Sequence, residues 1–333
     1  MSLPQLLANA LRASRGIAHK TDIAAAVAAL GVSDPRTLIP VGDDCAAIPD
    51  GDGHLLFAIE GFINEFVEKD PWFAGWCGVM VNVSDIYAMG GRPIAVVDAI
   101  WSAGESRMRA VLAGLADASR AYGVPVVGGH SNAHSDRGQL SVAILGRAQR
   151  RLLTSFDAKP GDVLVAAIDL RGSYREPYPH WNASTGAPPA RLRADLEILP
   201  RLAEDGLCHA AKDISQAGVI GTTLMMLECS GVGATIRVDA VPAPPGVSPH
   251  KWLISTFPSF GFVLAVPPQN LAQVTQRFLA RDIACAAIGH CDDTRRLRLR
   301  DHADECLAWD LHERTLIGCG PAASNALQEP LHA

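Results

Sequence analysis

The sequence predicts an α/β (or α+β) protein folded as two lobes, and three observations carry that reading. The chain has 333 residues, 48% of them hydrophobic and 19% charged, enough apolar material for two domains of about 100–200 residues each. Strand-like and helix-like stretches alternate through both halves. A Pro160-Gly161 turn separates the two runs. The expected division is a first lobe over 1–150, a second over 151–320 and a loose tail over 321–333.

Taken in order, Leu3, Leu6, Leu7, Ala10 and Leu11 share one face of an opening helix, and an alanine-rich helix follows Thr21-Asp22 and stops at Gly31. Residues 55–59 read as a strand. Asp70 can cap the next helix and Pro71 suits its first turn. Trp72, Trp76, Val79, Met80, Val83 and Tyr87 then recur at helical spacing until Gly90-Gly91. A strand over 94–100, a helix over 105–122 and strands over 124–127 and 139–146 complete the first lobe. The second opens with a strand over 163–168 and a long aperiodic loop over 171–190. Helices over 191–204 and 216–229, strands over 234–238 and 261–266, a helix over 268–281 and strands over 283–288 and 295–300 follow. In the last of these Arg295-Arg296-Leu297-Arg298-Leu299-Arg300 alternates, so one face is wet.

Composition excludes several classes. Lys plus Arg number 29 against 35 for Asp plus Glu, a formal charge of -6, and no cation cluster offers a nucleic-acid footprint. Eight scattered cysteines form no C-x-x-C pair, which reads as buried reduced thiols rather than disulfides or zinc ligands. Met1–His19 lacks a long apolar core and a cleavage signal, and no apolar run approaches the roughly 20 residues that span a bilayer. The expectation is a cytoplasmic protein that engages neither nucleic acid nor membrane.

Four spots can carry chemistry. Asp43-Asp44, after Gly42, are adjacent carboxylates between apolar segments; they are either a solvated turn or a neutralised pair. Asn82 and Asp85 are three residues apart on one helix, on the face away from the tryptophans. Asp85 falls in that helix's last turns, where the dipole disfavours an anion and a divalent cation would reverse the sign; an exposed polar face is the other reading. Asp213, in Lys212-Asp213-Ile214-Ser215, precedes a helix expected to begin at Ser215 or Gln216, as a metal ligand or a plain cap. Gly128-Gly129-His130-Ser131 follows an apolar strand, as a tight turn or as a phosphate cradle of backbone N–H groups. Together they match the oxygen ligands of Mg²⁺ and the charges of a triphosphate.

These segments resemble one superfamily. Ser84-Asp85-Ile86-Tyr87-Ala88-Met89-Gly90-Gly91-Arg92-Pro93 and Val127-Gly128-Gly129-His130-Ser131 are similar to selenophosphate synthetases. Gly42-Asp43-Asp44-Cys45-Ala46 resembles thiamine-monophosphate kinases and the same synthetases, Lys212-Asp213-Ile214-Ser215 the superfamily at large, and Ser230-Gly231-Val232-Gly233-Ala234 the hydrogenase-maturation member HypE. The order is collinear over about residues 40–300. The resemblance, to the aminoimidazole ribonucleotide (AIR) synthetase-like, or PurM-like, superfamily, implies two lobes. The first forms a barrel across a homodimer, the second is α/β, and Mg²⁺ and ATP lie in a cleft. It implies Asp43, Asp44, Asp85 and Asp213 as metal ligands and Asn82, Gly128, Gly129, His130 and Ser131 as nucleotide contacts. The implied chemistry is γ-phosphoryl transfer to a small molecule, or its activation, by positioning and charge neutralisation.

Departures narrow the branch. No cysteine precedes Cys45, against selenide chemistry. Lys20 lies in the comparable upstream region, as a phosphate contact or a solvated helix-start lysine. Thr256–Phe262 replaces the acidic element of thiamine-monophosphate kinases, and the chain ends Leu331-His332-Ala333 rather than in the cysteine of HypE. Glu60 stands where relatives place an aspartate, so the resemblance implies a nucleotide contact one methylene longer. Arg171, Arg175, His180 and Trp181 in the 171–190 loop suit an anionic or planar substrate; a surface loop is the alternative. The expected protein is an AIR synthase-related enzyme, with a non-catalytic nucleotide-binding subunit and a non-nucleotide protein on the same fold as the competing readings.

Overall fold

In a computed structural model the described residues are 1–31, 39–302 and 304–321. Leu38 and the expected tail beyond Pro321 lie outside them. The chain forms two compact units: Met1–Asp43 with Leu153–Ser184 and Asp205–Ala333, and Asp44–Leu152 with Thr185–Glu204. The opening helices therefore belong with the later half of the chain, not with a lobe over 1–150. Helix α1 (Leu3–Ala13) buries Leu7 and Leu11, and its Arg12 donates to the carbonyls of Leu307 and Ala308 at 2.9 and 3.1 Å. Helix α2 (Arg15–Leu30) starts earlier than expected because Ser14, not Thr21-Asp22, is its cap: Ser14 Oγ accepts from Ile17 N–H at 3.1 Å.

The second of these units is built on a five-stranded sheet of β1 (Ala46–Asp50), β2 (Gly53–Phe62), β3 (Arg92–Ala103), β4 (Val126–Asn132) and β5 (His134–Ala148), ordered β1-β2-β5-β3-β4. Every pair is antiparallel except β3–β4. Leu56, Ala58, Val96, Ile100, Val142 and Ile144 are buried on one face. That face carries α3 (Asn64–Lys69), α4 (Pro71–Ala88) and α5 (Glu105–Tyr122). The alternate positions Ile48, Phe57, Ile59 and Val97 are exposed on the other. Helices α6 (Pro189–Leu196) and α7 (Ile198–Glu204) complete the unit. One helix was expected over 191–204; the break leaves Pro200 in the first turn of α7, where its missing N–H is no loss. The Arg92 guanidinium ties α7 to the sheet through Glu197 at 2.6 Å and Glu204 at 2.5 Å, so Arg92 of the family-like decapeptide has a structural job.

The other unit holds a seven-stranded sheet. In chain order its strands and the short ones beside it are β6 (Val163–Ile168), β7 (Ser173–Tyr174), β8 (His180–Asn182), β9 (Ala210–Asp213), β10 (Gly233–Arg237), β11 (Phe257–Pro258), β12 (Gly261–Val266), β13 (Ala284–Asp292), β14 (Arg296–Asp301) and β15 (Asp304–Asp310). The large sheet runs β15-β14-β10-β13-β6-β12-β9, and β11-β8-β7 form a small one. The expected long loop over 171–190 thus contains two strands, which pair with each other, β8 also pairing with β11. Strands β6 and β12 bury both faces almost completely, as continuous apolar runs should. Helices α8 (Gly218–Ser230) and α9 (Leu271–Leu279) belong to this unit.

Candidate functional site

Helix α4 is unusual in being buried on nearly every side. Two glycines and a third on α5 bring this about: a Cβ at Gly75 would collide with the Val111 carbonyl, one at Gly114 with the Trp72 carbonyl, and one at Gly78 would lie 2.8 Å from Val142 Cγ2. Backbone therefore packs on backbone and on the sheet, and the polar positions of the helix are drawn inside. Asp70 occupies the cap position, but without a side-chain cap bond.

Asn82 is fully buried and Asp85 is 6% exposed, so the exposed-face reading of both is excluded. The Asn82 amide Nδ2 donates to Gly78 O at 2.8 Å, while its Oδ1 has no hydrogen-bond partner among the described residues. Leaving a buried acceptor unmet costs about 1–3 kcal/mol, so an unmet Oδ1 marks a place where a ligand donor belongs. One carboxylate oxygen of Asp85 lies within 4.8 Å of one of Asp44. Two anions that close repel by about 3 kcal/mol at an effective dielectric near 20. An all-oxygen donor set of this kind fits Mg²⁺. The chain just after Asp44 is held to the end of α4, where Cys45 N–H donates to Met89 Sδ at 3.1 Å.

The other expected ligands lie in the seven-stranded unit. Both carboxylate oxygens of Asp43 are accepting, one from Ser155 N–H at 2.8 Å and one from Ser155 Oγ–H at 2.7 Å. Asp213 is half-buried at the end of β9, beside the buried Lys212. The capping alternative fails: α8 begins only at Gly218, after Ala217 at φ 84°, so Asp213 is five residues short of the helix.

The glycine pair is not a turn. Gly128–Ser131 lie within β4, whose ladder sets Gly128 beside Val97, Gly129 beside Asp98, His130 beside Ala99 and Ser131 beside Ile100. Neighbours in a parallel ladder share a face, so Gly129 and Ser131 sit on the helix-covered side. Gly128 and His130 sit on the open side, where the His130 ring meets Trp101 at 5.4 Å. Glu60, exposed on β2, is opposite Val142, which is opposite Asp98; all three share the helix-side face. Lys20 is mid-helix in α2 rather than at a helix start.

Within residues 171–182 the candidates have internal roles. Arg171 binds Asp169 through its N–H and Nε, at 2.9 and 2.8 Å. Arg175 N–H donates to His180 O at 2.9 Å. His180 is buried, and desolvation, aided by the nearby Arg175 charge, pulls its pKa down to about 3, so the ring is neutral. Trp181 is core, donating to Asp169 O at 3.1 Å and packing edge-to-face on Tyr174 and Trp252.

Sequence reasoning overlooked Asp98. It is 8% exposed, its Oδ2 has no hydrogen-bond partner among the described residues, and burial raises its pKa. A Cβ at Gly129 would lie 2.5 Å from its Oδ1, which is why the adjacent strand needs glycine there. The signal was present: Asp98 alternates in phase with the apolar Val96 and Ile100.

Comparison with known proteins agrees with the order of these segments. The family model described as the N-terminal domain of AIR synthase related protein matches residues 42–148, and its C-terminal counterpart matches 159–302. An uncharacterized protein of Synechocystis sp. is 46% identical over 92% of this chain and 96% of its own length. Among solved structures, T. maritima PurL complexed with ATP aligns with TM-score 0.72 and 19% identity, over 92% of this chain and 52% of that one. AaThiL complexed with AMPPCP and TMP aligns with TM-score 0.63 and 18% identity, over 82% and 90%. The last two show a shared fold. No helix among the described residues is long and apolar enough to cross a membrane.

Proposed function

The chain belongs to the AIR synthase-related family, and from that premise we propose an Mg²⁺- and ATP-dependent enzyme that transfers the γ-phosphate to a small molecule or activates it. The observation that carries the reading is the approach of Asp44 and Asp85 oxygens to within 4.8 Å, with the unmet Asn82 Oδ1 three residues before Asp85 on the same helix. The ATP and AMPPCP bound by fold neighbours support it.

In this reading Asp44 and Asp85 hold Mg²⁺, Asp43 anchors the loop, and Asp213 remains a metal ligand to be tested. Bound there, Mg²⁺ neutralises phosphate charge. Asn82 Oδ1 accepts a hydrogen bond from the nucleotide or from metal-bound water. Ser131 offers a hydroxyl donor on the helix side, and Gly129 remains a nucleotide contact to be tested. Glu60 and Lys20 remain nucleotide contacts to be tested, as do Gly128 and His130 from the open face. Arg171, Arg175, His180 and Trp181 remain substrate contacts to be tested. The open apolar face of the five-stranded sheet supports a homodimer whose two sheets close into a barrel, and the eight free cysteines suit the cytoplasm.

Calorimetric titration of AMPPCP, with and without Mg²⁺, tests the site. Asp85→Asn is expected to lose Mg²⁺-dependent affinity by tenfold or more, about 1.4 kcal/mol, with unchanged circular dichroism. Unchanged affinity and metal dependence would refute the assignment. Glu60, longer than the family's aspartate, favours one rival, a nucleotide-binding subunit without turnover. ADP release with any of a panel of acceptors excludes that rival.

A further inference from the structure

Three successive residues at the end of α8 converge on the loop before Asp44. Glu228, 2% exposed, accepts from the backbone N–H groups of Leu316, Ile317 and Gly318 at 3.0, 2.8 and 2.9 Å. This pins a C-terminal segment outside the stretches the family models match and presents Cys319 to Gly42. There is no space between them: a Cβ on Gly42 would lie 2.5 Å from Cys319 Cβ and 3.4 Å from Cys229 Sγ. At φ 131°, Gly42 is also in a backbone region that other residues avoid.

Cys229, the next residue, donates its thiol to Gly42 O at 3.7 Å. Ser230, the third, donates its hydroxyl to Ser155 O at 2.7 Å and accepts from Ala158 N–H at 3.0 Å. Ser155 in turn supplies both donors to the Asp43 carboxylate. Gly42 and Asp43 are thus gripped from two sides by one helix end, and Asp44 follows by a single peptide bond.

We infer that Glu228, Cys229 and Ser230, acting with the Leu316–Cys319 segment, are positioning residues that set the place of Asp44 and thereby the metal affinity of the site. The inference rests on the magnesium–nucleotide reading above. A purely structural clamp would lower thermal stability and leave the metal requirement alone. A positioning clamp moves the metal requirement in protein that is still folded.

The experiment titrates Mg²⁺ at fixed AMPPCP, followed by calorimetry, and records the nucleotide-free melting temperature in parallel. Ser230→Ala is expected to raise the half-saturating Mg²⁺ concentration about fivefold, equivalent to about 1 kcal/mol, and Ser230→Thr, which keeps the hydroxyl, to restore it. Glu228→Gln, which sets an amide against three N–H groups, is expected to raise it further. Should Glu228→Gln fail to fold, the Ser230 pair decides. Folded Ser230→Ala with the unaltered midpoint overturns the inference while leaving the site assignment standing. Absence of Mg²⁺-dependent binding in the unaltered protein overturns both.

Discussion

The two sheets solve the problem of their own apolar faces differently. In the seven-stranded sheet the interior strands β6 and β12 are closed off above and below. In the five-stranded sheet one face lies under α4 and α5, while the other leaves Ile59 66% and Phe57 49% exposed. A continuous apolar run needs cover from both sides and an alternating one needs it from one. Yet here the alternate positions of β2 are apolar too. A sheet with apolar residues on both faces and helices on one is half of something. In the dimer proposed above, that exposed apolar face is covered by a second copy of itself, as a symmetric pair requires.

The contrast can be broken at either end. The larger effect is expected from Val263→Asp in β12, where Val263 has no solvent exposure: an unpaired buried charge should cost about 4 kcal/mol or more, and denaturant melts should show a protein largely unfolded. Ile59→Asp places the same charge on the open face. Its expected effect on monomer stability is within about 0.5 kcal/mol, but sedimentation should show dimer giving way to monomer. If Ile59→Asp stays dimeric, the open face is not the contact surface and the barrel reading fails.

What the sequence revealed follows the same division. Strands 163–168 and 261–266 were legible to the residue because buried apolar runs bounded by turns admit few other readings. Helix 105–122, which stops at Gly123, was equally clear. Strand β9 was not, since four residues cannot establish a period, and neither were β7 and β8, of two and three residues, the second of which pairs with the distant β11. The approach of Asp44 and Asp85 joins two positions that the spacing and the resemblance had singled out. The burial of Asn82 was not legible, because it depends on Gly75, Gly78 and Gly114 admitting a second helix and the sheet, which no local pattern reports. The split of His130 and Ser131 onto opposite faces was hidden by reading the glycine pair as a turn; in a strand, adjacent residues must diverge.

The subtlest comparison sets one buried titratable group of each unit against the other. His180 is held neutral, its pKa pulled down to about 3 by burial. Unfolding lets it rise to the ordinary histidine value, so the unfolded chain binds the extra proton between those limits. The stability it contributes is therefore present above about pH 6.5 and is lost as pH falls toward about 3, at no more than about 1.4 kcal/mol per pH unit. Asp98 has the opposite sign. Burial raises its pKa, so the folded state takes up the proton first, and stability is gained as pH falls through the raised value toward the ordinary carboxylate range. Chemical denaturation from pH 7 to 4 should thus show an acid loss that is shallower in His180→Asn than in the unaltered protein. In Asp98→Asn, which removes a compensating gain, the loss should be steeper. Parallel slopes in all three proteins would mean that neither group is buried as described, and with Asp98 would go the explanation for glycine at position 129.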